Sequence, residues 1–273
     1  MWHRKPAVAG AFYPDNPEEL KKVITTYLNK AGEQKINGNI YGVISPHAGY
    51  VYSGPIAAYA FQAIKNKDIE VAFVLAPSHR ARFQGASVIP GGIYETPLGN
   101  VPIDEKIGQQ LSEYNTFEFI QEVHQVEHSL EVQVPFLQMV LKAFSIVPII
   151  IGSVSIDTCK KIAQDIYAVM QNETRKCAII ISTDLSHYHS YNSAVTIDER
   201  FIESVKSFDE KKVSEVCSSG KAEACGEGPV LTGIMLSKML GAKRMEVLKY
   251  ANSGDTAGSK DQVVGYFSAA FID

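Results

Sequence analysis

Three histidines follow directly on three apolar, largely β-branched runs. Tyr41-Gly42-Val43-Ile44 leads into Ser45-Pro46-His47, and Val71-Ala72-Phe73-Val74-Leu75 leads into Ala76-Pro77-Ser78-His79. Cys177-Ala178-Ile179-Ile180-Ile181 leads into Ser182-Thr183-Asp184-Leu185-Ser186-His187. Such runs read as buried strands, and ligands of open α/β sheets bind beyond the carboxyl ends of the strands. Pro46 and Pro77 end their strands because they lack the N–H a ladder needs. Cys225 lies in the turn-rich stretch Ala224-Cys225-Gly226-Glu227-Gly228-Pro229. His47, His79 and Cys225 are therefore the candidate metal ligands. Imidazole and thiolate suit zinc, iron or copper far better than magnesium or calcium, and three protein ligands leave one position open. Asp184, His187 and His128 are the candidate catalytic residues, the first two suited to acid–base work beside the metal. The alternative is a turn in which Asp184 caps backbone amides, but their place at the same sheet edge favours function.

His124-Gln125-Val126-Glu127-His128 matches the H-x-x-E-H pattern of zinc peptidases. The match is short. The preferred reading is that Glu127, His128 and Glu131 line a helix face toward the main site, with His128 approaching it and His124 pointing away. Arg80 and Arg82 follow His79 and suit an anionic ligand, although solvated loop charge explains them as well. His189 reads as solvent-facing, and His3 has no supporting context. No G-x-S-x-G elbow or P-loop occurs.

The elements that must position these residues follow from periodicity and breakers. Asn16-Pro17-Glu18-Glu19 starts a helix that runs to about 29 or 30. Ser53-Gly54-Pro55 opens a second, to about 65. The Gly- and Pro-punctuated segment 84–103 reads as a β-hairpin insertion. Asp104 caps a helix, and another spans about 127–142 with Pro135 kinking it. Helices at 157–171, 196–207, 210–218 and 229–240 complete the set, with late strands near 245–251 and 263–271. Strands near 41–45, 71–75, 146–151, 177–182 and 263–271 should share a central sheet covered by helices on both faces.

The chain has 273 residues, 45% of them hydrophobic and 21% charged, with a net charge of −4. That profile fits a globular protein with a substantial core, read as one domain over 1–273. No basic run suggests nucleic acid. No apolar stretch approaches the roughly 18 residues of a spanning helix, and the N-terminus carries no secretory pattern, so the expected location is cytoplasmic. Cys159 and Cys177 read as buried small hydrophobes. Cys225, on the N-terminal side of a helix and near two imidazoles, is expected to have a lowered pKa and to be the most reactive cysteine.

These motifs resemble the Memo family, also called AmmeMemoRadiSam system protein B. The matching pieces are Pro46-His47-Ala48-Gly49-Tyr50, Pro77-Ser78-His79, Glu127-His128-Ser129-Leu130-Glu131, Ser182-Thr183-Asp184-Leu185-Ser186-His187, Cys225-Gly226 and Asn252-Ser253-Gly254-Asp255. They span nearly the whole chain. The family is related to class III extradiol dioxygenases, so the resemblance implies an α/β/α sandwich around a mixed, largely parallel sheet. In those enzymes two histidines and a glutamate hold Fe(II). His47 and His79 match the histidines, and Cys225 stands where the carboxylate is expected. The resemblance implies iron or copper as cofactor, with zinc as a third choice. It implies either a redox-metal enzyme or metal-handling protein, or a non-catalytic module that holds a peptide or phosphopeptide in the cleft. It also implies a radical-SAM protein as pathway partner. The residues indicate no substrate and no oligomeric state.

Overall fold

The computed structural model describes residues 2–152 and 155–273. Its strands, in chain order, are β1 (Trp2–Arg4), β2 (Ile40–Ser45), β3 (Val71–Pro77), β4 (Ala86–Val88), β5 (Gly92–Thr96) and β6 (Gly99–Ile103). They continue with β7 (Phe117–Glu118), β8 (Ser145–Ile151), β9 (Cys177–Ser182), β10 (His187–His189), β11 (Arg244–Asn252) and β12 (Val263–Ile272). They join one sheet in the order β1-β5-β6-β8-β3-β9-β2-β12-β10. β11 pairs with β12, and β4 pairs with β7 and β8. The central strands β8, β3, β9 and β2 run parallel. β12 and β11 extend the sheet in antiparallel register. The sheet is thus mixed and largely parallel, as expected.

Strands buried on both faces must be apolar at every position, not only at alternate ones. β3 shows the consequence. Val71, Phe73 and Leu75 enter one core while Ala72, Val74 and Ala76 enter the other. The first core is covered by helices Glu105–Ser112, Ile156–Gln171, Tyr191–Lys206 and Glu227–Leu240. The second is covered by Pro17–Ala31, Tyr50–Ile64 and Val134–Val140. Helix Glu227–Leu240 lies so close to the sheet that a Cβ on Gly233 would stand 2.3 Å from the Ile181 side chain. Among the described residues no helix is long and apolar enough to cross a membrane.

The hairpin insertion appears as β5 and β6, paired antiparallel. Two helix expectations need correction. The helix expected from Ser53 begins at Tyr50 and carries Pro55 inside. Its first turn is secured from outside, because the Tyr50 amide donates to the Phe12 carbonyl at 2.7 Å. The single helix expected over 127–142 is two short pieces, His128–Glu131 and Val134–Val140. A separate helix, Gln121–Val126, precedes them, and Glu127 breaks the chain between it and His128, with extended backbone (φ −76°, ψ 126°) and a side chain that caps the Ser129 amide. Pro135 falls in the first turn of the last piece, where a missing N–H costs nothing. The break turns His128 toward the carboxyl ends of β2 and β3.

Candidate metal centre

His47 follows the end of β2 and is 2% exposed. Its backbone N–H donates to Asp184 Oδ1 at 2.7 Å. Its Nδ1 lies 2.8 Å from Ser182 Oγ, and its Nε2 lies 3.1 Å from Cys225 Sγ. His79, beyond the end of β3, donates its backbone N–H to Glu127 Oε2 at 2.7 Å, and its Nδ1 is 2.9 Å from Oε1. His128 Nδ1 is 3.2 Å from the same Oε1. The ring centroids stand 5.1 Å (His47–His79), 5.5 Å (His47–His128) and 4.7 Å (His79–His128) apart. One nitrogen from each ring lies within 4.8 Å of the other two. Three nitrogens held at about 2.1 Å by one ion stand roughly 3.4–3.6 Å apart. The rings would have to close by up to about an ångström to share an ion.

The charge states favour metal binding. Burial pushes His47 well below the ordinary imidazole pKa, and the neighbouring His79 and His128 add to it. Burial lowers His128 to about 4, against the opposing pull of Glu127. Burial alone would raise Glu127, but hydrogen bonds from His79 and Ser129 hold it at about 2. At neutral pH, then, His47 and His128 offer lone pairs, and a charged carboxylate stands behind His79 and His128. A carboxylate bonded to a ligand histidine fixes its ring and raises its basicity.

Asp184 and His187 reach the same edge from the end of β9. Both line a cleft of about 450 Å³ that His128 also lines, with Phe12, Tyr52 and Tyr188 on its walls. The Phe12 ring packs 4.8 Å from the His128 ring. Tyr52 and Tyr188 are 40% and 69% exposed, leaving aromatic surface at the mouth. Burial raises Asp184 to about 7 despite the His47 and Ala48 amides. It can gain or lose a proton near neutrality. Burial lowers His187.

Cys225 is beside His47, and its sulfur accepts the Asp184 N–H at 3.2 Å. Gly226 next to it has no room for a side chain, since a Cβ would stand 2.4 Å from the Ser182 carbonyl. The expected lowering of the thiol pKa is not found. Burial, with the Asp184 carboxylate adding, pushes the thiol up. The Gly226 amide at the helix start serves Thr183 Oγ1 at 3.0 Å and not the sulfur. Burial likewise raises Cys159 and Cys177 to about 11 and Cys217 to about 12. In metal-free protein at pH 8, Cys225 should accordingly alkylate as slowly as the other three. Iodoacetamide labelling with peptide mass mapping checks this. Preferential labelling of Cys225 would mean that its neighbours stabilise the thiolate after all.

Other histidines and acids lie elsewhere. His124 belongs to the helix before the Glu127 break, and its Nε2 meets Ser87 Oγ at 3.0 Å. Its ring packs near Trp2 and Phe119, and burial lowers it to about 3. Glu131 does not line the site. It is fully buried and paired with Arg4, which also donates to the Glu127 carbonyl at 2.9 Å. His189 pairs with Glu223 at 3.0 Å and His3 with Glu95 at 2.8 Å. Arg80 and Arg82 are exposed. Phe12, against His128, and Gln133, whose Nε2 lies 3.0 Å from Ser182 Oγ, both sit in turns, with no local sequence pattern to mark them.

Comparisons with known proteins give the family and the fold. A family described as "Memo-like protein" matches residues 4–270. A MEMO1 family protein of Methanobrevibacter smithii is 39% identical over 279 residues, covering 98% of this chain and 99% of the relative. A MEMO1 family protein of Saccharolobus islandicus is 39% identical over 282 residues, with the same coverage of 98% and 99%. In fold, the chain is similar to an uncharacterized protein of Escherichia coli K12, with a TM-score of 0.57 at 12% identity. That likeness covers 85% of this chain and 100% of the other.

Proposed function

The chain belongs to the Memo-like protein family, and from that premise we propose that it is a metalloprotein presenting iron or copper to a small molecule or peptide in the cleft. The observation that carries this is the convergence of His47, His79 and His128. Each ring has one nitrogen beside a protein oxygen, from Ser182 or Glu127, which leaves the other for a metal. Imidazole donors suit iron, copper and zinc alike. When bound, iron or copper would supply Lewis acidity and one-electron chemistry at the open face of the triad.

The chain's own residues do the rest. Glu127 orients two rings at once. Cys225, beside His47, is the next donor a metal would meet, and its sulfur is oxidisable. Asp184 Oδ2 stands 3.9 Å from His47 Nε2. It is placed to accept or release a proton at an atom entering from the cleft, and His187 stands on the same wall. This arrangement serves either a redox enzyme or a protein that holds and transfers metal.

The exposed rings of Tyr52 and Tyr188 favour a second reading, a module that holds a peptide without turnover. Elemental analysis of protein purified without chelator or affinity tag separates the two. The metal reading expects about one equivalent of iron, copper or zinc per chain. Metal-free protein that binds a phosphotyrosine peptide as tightly as metal-treated protein would overturn it.

A further inference from the structure

The polar residues behind His47 form a closed hydrogen-bond circuit with only one proton arrangement. Ser182, Ser129, Gln133 and His47 are all 2% exposed or less, so they must satisfy one another. Gln133 Nε2 lies 3.1 Å from the Pro46 carbonyl, 3.4 Å from the Ser129 carbonyl and 3.0 Å from Ser182 Oγ. Carbonyl oxygens only accept, so the amide group facing them is the NH₂. Gln133 is therefore a donor to Ser182. Ser182 Oγ also lies 2.7 Å from the Ser129 carbonyl. Its single proton goes there. With that proton committed, the hydroxyl can only accept from its remaining partner, His47 Nδ1 at 2.8 Å.

We propose that Ser182 is a positioning residue that fixes His47 as the Nδ1–H tautomer and so leaves the Nε2 lone pair facing the metal centre. The role rests on the reading of His47 as a metal ligand, but the tautomer itself does not. The other side of the ring agrees. The Cys225 S–H has two acceptors in reach, the Asp184 carbonyl at 3.6 Å and an unprotonated His47 Nε2 at 3.1 Å, and the nearer one is the nitrogen the Nδ1–H tautomer leaves bare. The circuit also ties the site's pieces together. It joins the ends of β2 and β9 to the His128 segment, and Ser129 Oγ continues it to the Pro77 carbonyl at the end of β3. A neutral imidazole in solution exchanges its tautomers freely. Here two backbone carbonyls, through Gln133 and Ser182, select one.

The test is the tautomer of His47 in metal-free protein labelled with ¹⁵N-histidine, its signals assigned by their loss in His47→Gln. Long-range ¹H–¹⁵N correlations should show a protonated Nδ1 and an unprotonated Nε2. A protonated Nε2 in the wild type overturns the proposal without any variant being needed. Ser182→Ala should mix the tautomers and weaken Co(II) binding by about 10–100-fold, the usual cost of losing a partner behind a ligand histidine. Ser182→Thr keeps the hydroxyl and should restore both. A Ser182→Ala protein with unchanged tautomer and unchanged Co(II) affinity also overturns the proposal. If the wild type shows the Nδ1–H tautomer yet binds no metal, the functional reading fails while the assignment for Ser182 stands.

Discussion

Replacing His128 with alanine should empty the metal centre as fully as replacing His47 or His79. The three rings form one group, and removing any of them leaves two donors, too few to hold a borderline metal in a partly open site. Loss of a partner behind a ligand costs about 10–100-fold, so loss of the ligand itself should exceed about 100-fold. Cys225→Ala should cost less, because its sulfur lies beside the group through His47 alone. Elemental analysis of the four alanine variants after dialysis against a fixed metal buffer reads this directly. Full metal in His128→Ala together with none in Cys225→Ala would put the sulfur in the ligand set in place of His128. Acid should act late. A lowered pKa means weaker competition from protons, so metal loss through His128 should begin as the pH nears about 4, not near the 6.5 or so of a free imidazole. In the metal-free protein the same shift has a stability cost. Below about pH 6.5 the unfolded chain binds a proton that folded His128 refuses, so stability falls with pH and levels off below about 4.

The sequence made the scaffold legible because its core strands are buried on both faces. β3 and β9 are unbroken apolar runs ended by Pro77 or by the polar stretch after Ser182, so both the strands and the edge they deliver to can be read. His47 and His79 can be read as standing beyond those strand ends for that reason. His128 reads only as a residue approaching the site from a helix that starts near 127, not as a member of a three-ring group. The break at Glu127 comes from contacts 48 residues distant in the chain, where its carboxylate takes the His79 backbone and ring. No local pattern carries such information. Gln133 is hidden for the same reason, since its partners Pro46 and Ser182 lie at the ends of β2 and β9, far from it in the chain. The thiol pKa of Cys225 was misjudged through burial. A turn-rich loop suggests exposure, but Gly226 lets this one pack directly on Ser182 and Thr183.

The largest stability effect should come from Glu131, the acid that the motif made look functional. Its carboxylate takes hydrogen bonds from Arg4, from Tyr13, from the Ala7 amide at 2.9 Å and from the Val8 amide at 3.1 Å. The Arg4 and Glu131 side chains are both 0% exposed, and the guanidinium also stacks 4.8 Å over Tyr94. Together they pin residues 2–13 across the His124–Glu131 segment, and that arm carries Phe12 to its place against His128. Glu131→Leu leaves a buried cation unpaired, which costs about 3–5 kcal/mol. At roughly 2–4 °C per kcal/mol for a chain near this size, the melting temperature should fall by about 10 °C. A drop of less than about 3 °C would show that the arm is held by packing and not by this carboxylate. The double variant Arg4→Met/Glu131→Leu gives the sharper result. Replacing both members of an isolated buried pair with apolar residues is often neutral. Here the Tyr13 hydroxyl and two amides would still lack their acceptor, so the double variant should stay nearly as unstable as Glu131→Leu. Recovery to wild-type stability would mean that the pair served only itself. The expected failure to recover would make Glu131 the anchor of the arm that walls the cleft.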